Sequence, residues 1–290
     1  PSFSGSSVYN APLVPTSGPR FGSKDETDLS YWSSTDFEWT NDLYLINQET
    51  FGNQAGFRPN QREVINATLS NRDCLVLMPT GGGKSLTYQL AALVGMGLTV
   101  VFSPLISLIQ DQVLALHAVD VPAAALSSNQ SSEESRNTWG MVFKDELRLL
   151  YVTPEKFARS PSFTGMLRKL YDKGKLRCFV IDEAHCVSQW GHDFRKDYLN
   201  LNLLKKEFPR VPCLALTATA SERVQQNIIH VLELKDCLVF KTSFNRPNLI
   251  YEVRKKAKGK AVADIVEYIQ KEHHGHCGIV YCLSRKDCEE

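Results

Sequence analysis

The sequence predicts an α/β fold, a mostly parallel sheet covered by helices and built around a phosphate-binding loop. Three observations carry this expectation. Short apolar runs recur without polar alternation, so each strand is expected to be buried on both faces. Amphipathic helical stretches separate them, as in chains of βα units. One apolar run leads directly into a glycine-rich loop and then a helix.

Residues 1–40 are rich in Ser, Gly and Pro, and they are expected to form a flexible leader whose aromatic end (Trp32, Phe37, Trp39) docks on the domain. Residues 46–51 and 60–69 have helical periodicity. Residues 74–78 then read as a strand, 81–85 as the glycine-rich loop and 86–94 as a helix. Residues 98–103 read as a strand, and Leu105, Ile106, Leu108, Ile109, Val113 and Leu116 mark a helix after Pro104. Further strands are expected at 147–153, 177–182, 213–217 and 238–244. Val224, Ile228 and Leu232 give the apolar stripe of a helix over 221–232, and Thr219 with Glu222 has capping-box spacing. Residues 254–260 are rich in lysine; they fit a solvated linker, a phosphate-binding segment or a nuclear address equally well. A helix at 261–270 and a strand at 278–283 follow.

The chain has 290 residues, 33 Lys+Arg against 32 Asp+Glu and 43% apolar residues. Wholesale disorder is excluded, and any nucleic-acid partner must be recognised by local sites because net charge gives no basic signature. No apolar run approaches the roughly 18–20 residues of a membrane span. The eight cysteines contain no CxxC pair and several sit in apolar runs, which fits a reducing compartment better than a disulfide scaffold. No secretory signal pattern opens the sequence.

The strongest chemical signal is Thr80-Gly81-Gly82-Gly83-Lys84-Ser85 between a buried strand and a helix. Successive backbone N–H groups there can cradle phosphates, Lys84 can reach the terminal phosphates, and Ser85 can ligate Mg²⁺. The helix starting at the loop points its positive end at the anion. The strict P-loop pattern fails at one position, where Met78 replaces the first glycine. Downstream, a buried strand ends in Asp182-Glu183-Ala184-His185. Paired carboxylates at a strand end are explained if Asp182 serves Mg²⁺ and Glu183 activates water. Nucleotide binding and hydrolysis with Mg²⁺ follow from these residues.

Asp182-Glu183-Ala184-His185, continued by Cys186-Val187-Ser188-Gln189-Trp190-Gly191-His192-Asp193-Phe194-Arg195, resembles the RecQ family of superfamily 2 DNA helicases, and most of all its Bloom-type branch. The resemblance runs from about Phe51 to the end of the chain. It implies RecA-like domains, with the loop variant at Met78 normal for the superfamily. It implies that Gln61 reads the adenine edge and Arg58 stacks on the base. It implies that Ser103-Pro104-Leu105-Ile106-Ser107-Leu108 and Tyr151-Val152-Thr153-Pro154-Glu155-Lys156 line the DNA path. Gln189, Trp190, His192, Asp193, Phe194 and Arg195 would transmit single-strand binding to ATP hydrolysis, with Trp190 and Phe194 suited to stack on bases. Thr217 and Thr219, in Leu216-Thr217-Ala218-Thr219, would couple ATP state to domain movement, and His185 would link the nucleotide site to the aromatic loop.

The domain expectation is a leader at 1–40, a first RecA-like ATP-binding domain at 41–245 and the truncated start of a second at 246–290. The implied activity is 3′–5′ DNA unwinding driven by ATP, acting on single-stranded and branched DNA in nuclear repair and recombination. Alternatives are an RNA helicase or remodeller with the same engine, or a fragment that binds ATP and DNA without unwinding. His273, His274, His276, Cys277 and Cys282 lack the spacing of a common zinc finger, and the family's zinc module lies beyond the second domain, so no zinc is expected.

Overall fold

A strand whose side chains are almost all apolar is stable between two covering layers, and the sheet is built mainly from such strands. In the computed structural model, residues 30–127, 130–191, 193–245, 248–255 and 260–289 are described. The chain divides into two units, one ending at Phe244 and one spanning Asn245–Glu290. The expected leader falls mostly outside the described residues.

In the first unit a 3₁₀ turn at Tyr31–Ser33 precedes α1 (Thr40–Glu49), α2 (Gln61–Leu69), β1 (Cys74–Leu77) and α3 (Lys84–Val94). β2 (Leu98–Phe102), α4 (Ile106–His117), β3 (Ala123–Leu126), α5 (Ser132–Phe143) and β4 (Leu149–Val152) follow. Then come α6 (Pro154–Arg159), α7 (Pro161–Asp172), β5 (Leu176–Ile181) and a 3₁₀ turn at Ala184–Val187. α8 (Lys196–Leu199), α9 (Asn202–Glu207), β6 (Cys213–Thr217), α10 (Glu222–Val231) and β7 (Leu238–Lys241) complete it. The strands form one sheet in the order β3-β4-β2-β5-β6-β1-β7, and the neighbours pair in parallel. This is a RecA-like α/β fold.

Apolar residues on alternating positions of each strand pack into two separate cores. Leu75, Phe102, Phe179 and Ala215 face one layer; Val76, Val101, Val180 and Leu214 face the other. The aromatic segment ahead of α1 belongs to the second core. Trp32 is 2% exposed and stacks on Phe37, which in turn stacks on Trp39. Asn66 holds this segment from α2, its amide donating to the Trp32 carbonyl (2.8 Å) and its oxygen accepting from the Trp39 indole (2.9 Å).

The parallel arrangement brings the carboxyl ends of all seven strands to one edge of the sheet, where α/β proteins place their ligands. The loops after β1, β2, β4, β5 and β6 all leave from that edge.

Two local expectations are corrected. α10 begins after Ser221, which makes no side-chain cap bond, and the Thr219 N–H donates to Thr217 Oγ1 (3.3 Å) instead of entering a capping box. A true capping box closes the start of α5, where Ser131 and Glu134 hold each other's backbone N–H. Residues 278–283 form no strand. In the second unit the described regular elements are α11 (Ala261–Glu272) and α12 (Arg285–Glu289), so this apolar run finds no neighbouring strand to satisfy its backbone.

Candidate nucleotide and strand-coupling site

The loop after β1 is shaped by glycines that no other residue could replace. Gly83 has φ +86°, and a Cβ there would sit 2.2 Å from Gln61 Nε2; a Cβ on Gly82 would sit 2.8 Å from the Pro79 carbonyl. The left-handed backbone and the absence of side chains let the loop turn tightly into α3. Lys84 is the first residue of that helix, and its ammonium donates to the carbonyls of Met78 (3.0 Å) and Pro79 (3.5 Å). The loop oxygens thus hold the cation at the position from which it can reach a phosphate. Thr80 and Gly81 are exposed; Ser85 is half-buried at the first turn.

Gln61 and Arg58 reach this loop from the start of α2. Gln61 is 2% exposed. Its Nε2 donates to the Gly83 carbonyl (3.1 Å), and its Oε1 accepts from the Arg58 N–H (2.8 Å). The Arg58 guanidinium donates to the Gly81 carbonyl. Both residues therefore brace the phosphate loop, with Arg58 itself exposed.

Asp182 and Glu183 stand at the end of β5. The Asp182 N–H continues the ladder to Phe102, and the Asp182 carbonyl accepts from Tyr198 (3.0 Å). Burial, followed by the neighbouring Glu183 charge, pushes the Asp182 carboxyl up to about 6, while Lys84 pulls the other way. A carboxylate held at that cost favours a cation beside it. Glu183 has φ +49° and ψ +46°, a left-handed conformation unusual for glutamate. Its N–H donates to Asp182 Oδ1 (3.0 Å). This turn aims its carboxylate at His185, whose Nδ1 lies 3.3 Å from Glu183 Oε2 and 3.0 Å from Thr217 Oγ1. Thr217 Oγ1 in turn donates to the Thr219 carbonyl (3.1 Å). The chain of contacts runs Glu183–His185–Thr217–Thr219, from β5 to β6.

The loop after the 3₁₀ turn carries the other candidate residues. Gln189 and Trp190 are exposed, Trp190 by 58%. Phe194 is half-buried. Arg195 bonds both Asp193 (Nη2 to Oδ2 3.0 Å) and the Pro104 carbonyl (2.9 Å), tying this loop to the segment after β2. His192 lies outside the described residues. Ser103 is buried, with no hydrogen-bond partner for its hydroxyl among the described residues. Beside Pro104 an open groove of about 490 Å³ is lined by Ile106, Thr153, Glu155, Lys156, Arg159 and Ser160. It brings the two segments expected to line the DNA path onto one surface, with Lys156 and Arg159 supplying positive charge.

The expectation of no zinc needs correction. His185, Cys186 and Asp193 place one potential ligand atom each within 4.8 Å of one another, so a metal ion can be held here. Cys186 Sγ and Asp193 Oδ2 are 3.7 Å apart, close to the edge of a tetrahedral zinc site. The cluster arises because the loop folds back, with the Arg195 N–H donating to the Cys186 carbonyl; finger spacing along the sequence gives no sign of it. A metal entering here competes with Arg195 for Asp193. It also competes with the proton of the Cys186 thiol, which burial and then the Asp193 charge push up to about 12.

Sequence reasoning missed Arg223, whose guanidinium lies 3.5 Å from the centroid of the Trp190 ring. It also missed Tyr88, buried beneath the site; Tyr151, expected to line the DNA path, is buried beside it instead (1% exposed), with the two hydroxyls 3.3 Å apart. The Tyr88 hydroxyl is pushed up mainly by burial, then by Tyr151 and Asp182. No helix among the described residues is long and apolar enough to cross a membrane.

The DEAD/DEAH box helicase family matches residues 58–228. The ATP-dependent DNA helicase Q-like 4B of Arabidopsis thaliana is 53% identical over 89% of this chain and 22% of its own length. The RecQ-like DNA helicase BLM of Xenopus laevis is 47% identical over 87% of this chain and 19% of its own. The ATP-dependent DNA helicase Q1 of Rattus norvegicus is 44% identical over 91% and 43%. The likeness is therefore to RecQ-type helicases broadly. Identities of 47% and 44% do not clearly favour a Bloom-type branch over the other RecQ relatives. The chain spans less than half the length of each of these relatives.

Proposed function

The chain belongs to the DEAD/DEAH box helicase family of ATP-dependent enzymes, and from that premise we propose that it is the ATP-hydrolysing engine of a RecQ-type DNA helicase that moves 3′ to 5′ on single-stranded DNA. The observation that carries this reading is the unbroken series Glu183–His185–Thr217–Thr219, with the exposed Trp190 on the same loop. The series starts at the end of β5, on the sheet edge from which the phosphate loop also leaves, and the exposed Trp190 ring follows His185 on the same loop.

In this reading Arg58 and Gln61 release the Gly81 and Gly83 carbonyls and meet the nucleotide's base. Backbone N–H groups of Gly81 to Ser85 receive the phosphates, and Lys84 leaves the Met78 and Pro79 carbonyls to neutralise the terminal oxygens. Ser85 and Asp182 would hold Mg²⁺, which when bound supplies charge stabilisation to the phosphates; the raised Asp182 carboxyl fits that partner. Glu183 orients the attacking water and accepts its proton. His185 and Thr217 exchange hydrogen bonds as the terminal phosphate leaves, and the change reaches Trp190, Phe194 and the groove beside Pro104. Branched DNA, a nuclear place of work, and a role in repair and recombination are parts of the same proposal for the whole protein. The domain division at 41–245 and 246–290 is likewise proposed.

The test is ATPase activity with and without single-stranded DNA. Lys84→Ala is expected to lower turnover by about 10²-fold, the scale of losing one placed charge on the reacting phosphate. Single-stranded DNA is expected to stimulate the unaltered chain more than RNA of the same length does. Equal or greater stimulation by RNA would favour an RNA helicase or remodeller instead.

A further inference from the structure

We propose that Arg223 is a positioning residue that occupies the face of Trp190 when no DNA is bound, so that an unpaired base must displace it to stack there. The proposal rests on the reading above that Trp190 stacks on bases.

Three features of the structure lead to it. First, Trp190 is 58% exposed, and the Arg223 guanidinium covers one face of its ring at 3.5 Å from the centroid. A cation over an indole face is attracted by the ring quadrupole, and a base stacking on that face would compete with it. Second, Arg223 is the second residue of α10, where a positive charge opposes the helix dipole. Helix stability does not explain an arginine there, whereas the Trp190 ring gives it a favourable partner. Third, the backbone around Trp190 is tightly held. Its N–H donates to Ser188 Oγ (3.2 Å), the Gly191 N–H donates to the Ser188 carbonyl (2.9 Å), and a Cβ on Gly191 would meet the His185 carbonyl at 2.5 Å. The ring is thus presented at a fixed place opposite α10.

The connections give the contact a consequence. α10 follows Thr217 and Thr219, and the Trp190 loop follows His185; His185 and Thr217 are hydrogen-bonded at 3.0 Å. The Arg223–Trp190 contact closes a ring through those elements. Displacing Arg223 opens the ring at its outer side and frees the loop to move relative to α10, so base stacking and the His185–Thr217 contact become linked. Arg223 therefore sets the threshold at which a single strand engages the engine.

The experiment measures binding of an oligothymidylate by anisotropy and half-maximal DNA stimulation of ATPase, over a range of salt, for the full chain. Arg223→Gln is expected to tighten apparent DNA affinity about two- to fivefold, the ratio that an exposed cation–π contact corresponds to, with the salt slope unchanged. In a Trp190→Ala background the same substitution should have no effect. Without DNA, Arg223→Gln should make the Trp190 emission, isolated by subtracting a Trp190→Phe variant, more readily quenched by acrylamide. Weaker binding with a shallower salt slope would make Arg223 a phosphate contact and overturn the proposal, as would an equal effect in the Trp190→Ala background. If Trp190→Ala alone leaves DNA affinity unchanged, the stacking reading fails and the proposal falls with it. If Trp190→Ala weakens binding but Arg223→Gln changes nothing, the stacking reading stands and only the Arg223 proposal is overturned.

Discussion

Glu183→Gln is expected to lower the turnover number for ATP by about 10²- to 10⁴-fold, the range assigned to a general base, while nucleotide and DNA binding stay within a few-fold. The substitution keeps size and shape, so the left-handed turn at Glu183 and the position of the side chain should persist. An amide oxygen can still accept a hydrogen bond from His185, which lies 3.3 Å from the present carboxylate. What is lost is the capacity to accept a proton from water. The variant should therefore trap a nucleotide-bound protein that still responds to single-stranded DNA. Single-turnover hydrolysis together with binding of a fluorescent ATP analogue separates the two effects. A turnover number within tenfold of the unaltered chain would remove Glu183 from the reaction. Lost nucleotide binding would mean that its negative charge serves the cation and not the water.

Much of this site is legible in the sequence because its chemistry is compressed into contiguous stretches. Phosphates need consecutive N–H groups, so Gly81 to Ser85 stand together, and the paired carboxylates end a strand whose apolar run marks its position. Strands such as Leu98–Phe102 and Cys213–Thr217 are readable for the same reason, being buried along their whole length. β3 is not. Its sequence is three alanines and a leucine, it is one of the two edge strands and half-buried at its centre, and alanine carries little strand preference. Residues 278–283 show the converse, an apolar run that reads as a strand but has no described neighbour to pair with. Arg58 and Gln61 are ordinary surface types, and only the family resemblance singled them out. The His185–Cys186–Asp193 cluster and the Arg223–Trp190 contact join residues through a loop that folds back and a helix that packs across it. Neither has a spacing rule, so neither could be read along the chain.

The second large effect is expected at the opposite end of β1. Asp73 immediately precedes that strand and is 5% exposed. Its Oδ1 accepts from Lys205 Nζ (2.9 Å) and from the Cys213 N–H (2.8 Å), and its Oδ2 accepts from the Lys235 N–H (2.9 Å). Lys205, 6% exposed, also donates to the Val211 carbonyl (3.0 Å). One carboxylate thus joins α9, the start of β6 and the approach to β7, at the sheet edge away from the phosphate loop. Asp73→Ala strands a buried ammonium and two backbone N–H groups together. The expected loss is about 3–5 kcal/mol, the usual result of removing one partner from a buried pair, with a fall in Tm of roughly 10 °C for a domain of this size. The pair is not expected to be strongly stabilising in itself, because burying both charges already costs most of what their attraction returns. Asp73→Leu combined with Lys205→Met should therefore recover a large part of the loss, leaving chiefly the two N–H groups without an acceptor. Urea unfolding of the single and double variants decides the matter. A double variant as unstable as Asp73→Ala would show that the carboxylate acts mainly through the Cys213 and Lys235 N–H groups, as a clasp on the backbone and not as a counter-ion. In either case the nucleotide site lies at the far end of β1, so the folded fraction of each variant should keep its ATP affinity.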